Sequence, residues 1–231
     1  MKVIMPVYNV DERFINLTDL AMLSLRPCDL TIVDNASTIG GGQLREWADT
    51  YVRNKTNLGY ARAVNQGLKL CDKGELMAVA NNDIRVSPGW DEVAKEILED
   101  PLVVSVHFTM IPYEQPFNLG DKVWTTGKER WCTGSFFVMR NWELYDENFL
   151  NSYDDWDMHL RMYKAGLRTA YTNRAQYQHM NSFTQVIIPD RERVDGNNRN
   201  YFIMKHGDTP ENIWTKLFPD QMAQDYQGGF E

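Results

Sequence analysis

The feature that most constrains this chain is the alternation in its first hundred residues. Short apolar runs, KVIMPVYN, LTIVDN, YVRN and LMAVA, are separated by segments whose apolar residues fall at helical spacing. Strands that follow one another through helices pair in parallel and are covered on both faces, which is why their sequences run continuously apolar. The first helical segment, Asp11 to Leu25, carries Phe14, Leu17, Ala21 and Leu25 before Pro27 forbids continuation. GGQLREWADTY and GYARAVNQGLKLC supply two more helices, the second opened by Gly59, and a fourth runs from about Pro88 to Leu98. LVVSVHF then reads as a strand.

Beyond residue 110 the pattern changes. Ile111 to Arg130 is rich in Pro, Gly, Asn and aromatic residues and is expected to form a long loop. GSFFVMR restores a strand. Asp155 to Ala165 has Trp156, Leu160 and Tyr163 on one helical face, with Gly166 as its stop, and LRTAYT is the last strand. From Asn181 onward the chain reads as polar and irregular apart from NYFIMKHG, and is expected to wrap over the domain.

At 231 residues and 43% hydrophobic content the chain can bury a core of one domain. A formal net charge of -8 gives no long-range attraction to nucleic acid or anionic membranes. Cys28, Cys71 and Cys132 are scattered without metal-ligand spacing, as in a reduced compartment. MKVIMPVYNV turns polar too soon for a signal peptide, and no apolar run approaches the roughly 20 residues that cross a bilayer, so a soluble, cytoplasmic protein is expected.

An open alternating α/β sheet binds ligands at the carboxyl ends of its strands. Three such ends are polar here: Tyr8-Asn9, Asp34-Asn35 and Asn81-Asn82-Asp83. Asn and Asp are also ordinary turn residues, so each alone has a structural explanation. No Gly-x-Gly-x-x-Gly, Gly-x-x-x-x-Gly-Lys-Ser/Thr, Gly-x-Ser-x-Gly or His-Glu-x-x-His pattern is present, which removes the usual support for dinucleotide, P-loop, serine-hydrolase and zinc-protease chemistry.

PVYN after the first strand, VDNAS at 33–37, NLGYARAVNQGL at 57–68, NNDIRVSPGW at 81–90, GSFFVMR, YDDWDMHLRMYKAG at 153–166 and YQH ending at His179 occur in one order. That ordered set resembles the inverting nucleotide-sugar glycosyltransferases of family 2 type, with the GT-A fold. The resemblance covers about residues 1–182 and implies a mainly parallel, mixed α/β sheet flanked by helices. It divides the chain into a catalytic domain at 1–182, with a nucleotide-sugar half at 1–110 and an acceptor half at 111–182, and an irregular C-terminal extension at 183–231 packed on the same domain.

The resemblance also implies site residues. Asn81-Asn82-Asp83 stands at the family's Asp-x-Asp position, where Asp83 would bind Mn²⁺ or Mg²⁺ holding the donor diphosphate; Asn81 replaces the usual first Asp. Such hard cations prefer oxygen ligands and share their shell with phosphates and water. His179 matches a family His that faces the metal. Asp34 matches the position recognising base or ribose, with helix capping as its structural alternative. Asn57, Gly59 and Asn65 match the next nucleotide motif, and Pro6 and Tyr8 would line the base pocket.

Asp154-Asp155-Trp156-Asp157 corresponds to the family's Glu-Asp-x-Asp motif, in which Asp155 matches the general base, with Asp154 and Asp157 on the acceptor side. Carboxylates at a helix start also complement its dipole, and their crowding raises at least one pKa. Among the aromatic residues around Trp124, Trp131 and Phe136, Trp131 is the candidate acceptor-side wall. Arg191, Arg193, Arg199 and Lys205 would either help neutralise the diphosphate or form a solvated basic face. The expected activity is transfer from a nucleoside-diphosphate sugar, UDP-linked first, to a hydroxyl of a saccharide or envelope glycan. The compact chain and its YFIMKHG segment also resemble small bacteriophage glycosyltransferases, which makes hydroxymethylated DNA the second acceptor. A sugar-nucleotide pyrophosphorylase lacks its Gly-rich, Lys/Arg-bearing loop in MPVYNVDERF, and an inactive carbohydrate-binding relative would have lost Asp83 or Asp155.

Overall fold

A computed structural model describes residues 1–125, 134–180 and 191–217. Nine strands among these residues form one sheet. β1 (Lys2–Val7), β2 (Asp29–Asp34), β3 (Thr50–Arg53) and β4 (Leu76–Ala80) pair in parallel in the order β3-β2-β1-β4. The helices between them are α1 (Glu12–Leu25), α2 (Gly41–Trp47) and α3 (Tyr60–Leu68). α1 starts where Asp11 caps it through the Arg13 N–H, and ends at Arg26, before Pro27.

The order then continues through β8 (Phe136–Arg140), β6 (Val103–Ile111), β9 (Arg168–His179) and β5 (Ile84–Val86), with β7 (Val123–Thr125) also on β9. β8 is antiparallel to both β4 and β6, β9 is parallel to β6, and β5 is antiparallel to β9. The carboxyl ends of β1, β2, β4 and β9 and the start of β8 therefore share one edge of the sheet.

Both faces are packed. Val3, Met5, Ala78, Ala80, Phe136 and Val138 point into the core beneath α1, α2 and α4 (Trp90–Ile97), where they meet Met22, Leu44 and Trp90. Their neighbours Ile4, Met77, Val79, Phe137 and Met139 point to the other face, against Val64 of α3 and Met158 and Met162 of α5 (Asp154–Lys164). Alternation along each strand thus feeds two cores, and each fully buried large side chain contributes about 1.5–3 kcal/mol. Cys28 and Cys71 carry free thiols.

Three differences from the sequence reading stand out. β7 is a three-residue strand inside the stretch expected as a long loop, and β5 is another, in the NNDIRVSPGW stretch, where the sequence reading places no element before Pro88. β9 runs unbroken from LRTAYT to YQH, through a register shift against β6. The C-terminal part contains α6 (Arg191–His206) and α7 (Pro210–Leu217) rather than one short ordered segment in irregular chain. Phe202 of α6 packs on Phe149 and Leu160 in a third small core that joins α6 to α5. Trp131, Cys132 and the residues of 183–190 and 218–231 lie outside the described residues.

Candidate active site

Two carboxylate centres meet at the shared sheet edge. Asp83 follows β4 and stands directly before β5, whose Ile84 pairs with His179 at the end of β9. The Asp83 side chain is 2% exposed, and neither carboxylate oxygen accepts a hydrogen bond from the described residues. His179 Nε2 is 3.1 Å from Asp83 Oδ1, and Asn81 Nδ2 is 3.5 Å from the same ring nitrogen. Burying a carboxylate without hydrogen bonds is costly, so the arrangement fits a cation held by Asp83 and His179. No group of three or more His, Cys, Asp or Glu side chains converges among the described residues, and a hard cation here would complete its shell with water and phosphate oxygens.

The second centre opens α5. Tyr153 precedes it with φ of 66°, a left-handed turn that swings Asp154 and Asp155 to the helix N-terminus. Asp154 is buried, with Oδ2 lacking any hydrogen bond. Burial, reinforced by the charge of Asp155, pushes its pKa up to about 8. Asp155 is half-buried; burial raises its pKa too, while N–H groups of Trp156, Gly134 and its own backbone pull it back by bonding the ionised form. Trp156 N donates to Asp155 Oδ1 at 2.9 Å. The pair therefore favours a proton on Asp154 and the charge on Asp155.

Tyr60 stands between the two centres. Its hydroxyl donates to the Gly134 carbonyl at 2.7 Å, and its pKa is raised well above the ordinary value by burial, then by Asp154, Asp155, Tyr177 and Asp83. The start of β8 joins the same edge, since Asn81 N donates to Ser135 O at 2.8 Å and the Ser135 and Tyr177 hydroxyls are 2.8 Å apart.

Other expected site residues take structural positions. Asp34 is fully buried: Oδ1 accepts from Ser37 N at 2.8 Å, and Oδ2 from the Tyr51 hydroxyl at 2.6 Å and from the Arg53 guanidinium. Asp34 caps its turn and pairs with Arg53, whose side chain is 46% exposed at the carboxyl end of β3. Asn82 is buried and donates to Asn9 Oδ1 and Thr18 Oγ1, tying the end of β4 to α1. Asn65 is buried and holds the 145–147 segment, exchanging bonds with the Tyr145 backbone and donating to Glu147. Both amides are buried and bonded within the protein.

Asn57 Oδ1 accepts from Gly59 N and Asn35 Nδ2, shaping the loop before α3. Gly59, with φ of 85°, opens α3, and a Cβ there would lie 2.5 Å from Leu150 O; its close approach is to the protein's own backbone. Pro6 and Tyr8 are half-buried at the end of β1 and remain open to a ligand.

Asp157 is fully buried and belongs to the C-terminal anchor. Its Oδ2 pairs with Arg161 Nε at 2.9 Å, and its Oδ1 with His206 Nε2 at 2.8 Å and Lys205 Nζ at 2.6 Å. Lys205 also pairs with Asp146, and Arg199 with Glu211 at 3.6 Å. Sequence reasoning missed Arg53 and Tyr60; the available signals were the Arg ending YVRN and the Tyr after Gly59.

The family model for glycosyl transferase family 2 matches residues 2–156. The chain belongs to glycosyl transferase family 2. This makes it a transferase by family, on a GT-A-like fold. Among solved structures it is similar to the mannosyltransferase PcManGT from Pyrobaculum calidifontis in complex with GDP-Man and Mn²⁺, at 19% identity and a TM-score of 0.64 over 97% of this chain and 68% of that one. It is similar to residues 1–349 of S. aureus TarS at 12% identity, TM-score 0.57, over 93% and 74% of the two chains. Similarity to GalNAc-T7 with UDP, GalNAc and Mn²⁺, at 12% identity and TM-score 0.59, covers 77% of this chain but only 43% of that one. No curated protein matches the chain. The family member's helices, among the described residues, include none long and apolar enough to cross a membrane.

Proposed function

We propose that the protein transfers a sugar from a nucleoside-diphosphate donor, UDP-linked first, to a hydroxyl of a saccharide acceptor, with inversion at the anomeric carbon. The observation carrying this reading is the pair of centres on one edge: a buried carboxylate without hydrogen bonds beside His179, and a coupled carboxylate pair at the start of α5. Family membership and nucleotide-bearing neighbours support the donor class.

Asp83 and His179 would hold a divalent cation, Mn²⁺ or Mg²⁺, which when bound neutralises the diphosphate. Pro6 and Tyr8 would flank the base, and Asn81 would bond a ribose hydroxyl. Asp155 would accept the proton of the acceptor hydroxyl as that oxygen attacks the anomeric carbon. The proton resting on Asp154 keeps the neighbouring charge on Asp155, which is the form a base requires. The paired state of Lys205 and the net charge of -8 favour a saccharide over DNA.

Asp155→Asn preserves shape while removing basicity. Turnover should fall about a hundred- to ten-thousandfold with donor binding retained, measured as nucleoside diphosphate release and label transfer from a panel of UDP- and GDP-sugars to glycan extracts or hydroxymethylcytosine DNA. Near-normal turnover by this variant would reject Asp155 as the base, and transfer into DNA alone would reject the saccharide acceptor.

A further inference from the structure

We infer that Tyr60 is a positioning residue for Asp155: its hydroxyl anchors Gly134 from the carbonyl side while the Gly134 N–H holds the Asp155 carboxylate. The inference rests on the reading of Asp155 as the base. Gly134 begins the turn into β8 and has no side chain to fix it, yet it lies close against Asp155. A Cβ on Gly134 would be 3.4 Å from Asp155 Cβ and 3.5 Å from Oδ2. The Gly134 N–H is among the backbone groups that pull the Asp155 pKa down against burial, as a donor to the ionised carboxylate does.

What immobilises that glycine is the 2.7 Å bond from Tyr60. Tyr60 is itself fixed at three points. Its N–H meets Leu150 O at 2.9 Å and Asn151 Oδ1 at 3.1 Å, and its ring packs edge-on against Tyr145 with centroids 6.3 Å apart. Burial and the surrounding carboxylates keep its hydroxyl protonated, so it is a permanent donor. Tyr60 thus ties the N-terminus of α3 to the start of β8, and through Gly134 to the N-terminus of α5.

The ionisable groups that feel the charge of Asp155 are Asp154 on α5, Tyr60 on α3 and Tyr145 on the loop before α5. Removing the Tyr60 hydroxyl loosens a donor to ionised Asp155 without altering any of those charges. Loss of such a bond raises the carboxylate pKa, so the acid limb of turnover moves to higher pH. A side chain that merely filled space would leave that limb in place.

The test is Tyr60→Phe, which keeps the ring against Tyr145, compared with wild type, Tyr145→Phe and Asp155→Asn. Thermal melting first establishes that each variant is folded. The Asp154–Asp155 pair is then titrated by carboxylate ¹³C NMR, and kcat and KM for nucleoside diphosphate release from UDP- and GDP-sugars are followed against pH. In Tyr60→Phe the carboxylate midpoint assigned to Asp155 should rise by about half a pH unit or more. Its kcat should fall about ten- to a hundredfold with donor KM nearly unchanged, while Tyr145→Phe moves neither. An unmoved midpoint and acid limb in folded Tyr60→Phe overturns the inference. If the midpoint moves but Asp155→Asn retains turnover, the positioning stands and the general-base reading fails instead.

Discussion

His179 Nε2 faces Asp83 Oδ1 at 3.1 Å across the ends of β9 and β4, and the carboxylate accepts no hydrogen bond from the described residues. Without a cation, Asp83 is a buried charge whose removal relieves the native state. Asp83→Asn should therefore raise the melting temperature of metal-free protein, by the equivalent of about 1 kcal/mol, and abolish stabilisation by Mn²⁺ plus UDP. Scanning fluorimetry with and without EDTA reads both; a variant still stabilised by Mn²⁺ would remove Asp83 from the metal site.

The Asp154 carboxyl titrates near 8 in the folded chain because burial and Asp155 disfavour its charge, against an ordinary value of 3.8. The native state therefore keeps a proton that the unfolded chain releases. This contribution is fully present below about pH 4 and is lost as pH rises towards 8. Asp154→Asn carries no such penalty, so its stability relative to wild type should grow across that window, by about 1 kcal/mol or more at pH 8. Urea melts at pH 5 and pH 8 decide it, and an advantage independent of pH would count against the shifted carboxyl.

His159 on α5 places Nε2 3.2 Å from Nε2 of His107, which also lies 3.2 Å from Ser105 Oγ and stacks on Phe137. Burial lowers the His159 pKa to about 4 from 6.5. The unfolded chain takes up this proton first as pH falls, so stability held above pH 6.5 is lost towards pH 4. His159→Gln should flatten that acid loss by roughly 2 kcal/mol between pH 6.5 and 4. Parallel acid-limb slopes for the two proteins in denaturant titrations would contradict it.

Asp157 binds Arg161 of its own helix together with Lys205 and His206 of α6. Asp157→Ala removes the buried partner that Arg161, Lys205 and His206 share, while Arg161 keeps Glu143 and Lys205 keeps Asp146, and should destabilise by about 1–3 kcal/mol. Limited proteolysis should cut the variant within 191–217 before it cuts the sheet. Retained resistance there would show that Phe202 and its apolar neighbours suffice to hold α6.

The central sheet was legible because KVIMPV, LTIVD and LMAVA are runs that only a strand covered on both faces can use. β5 and β7 were not, since three residues carry no period. α6 escaped because Arg191–His206 is polar on nearly every side and is held mainly by Phe202 and by ion pairs with Asp146 and Asp157, partners distant in sequence. The site was half legible for a related reason. Asn65, Asn82 and Asp34 look in sequence like Asn81 and Asp83, because polar residues at strand and helix ends are written alike whether they bond protein or ligand. What the sequence does not carry is which of them has partners; among the described residues, both oxygens of the buried Asp83 carboxylate lack a hydrogen bond.

The Asp157 clamp has a consequence for anyone dividing the chain. The family match ends at residue 156, one position short of a carboxylate whose partners include Lys205 and His206, almost fifty residues on. A fragment ending at residue 182 would keep both carboxylate centres yet remove two of the three partners of Asp157 from the helix that carries Asp154 and Asp155. Excising the minimal catalytic segment and dismantling its proton-accepting end are thus the same operation, and the natural place for a fusion partner is outside that electrostatic hinge-pin.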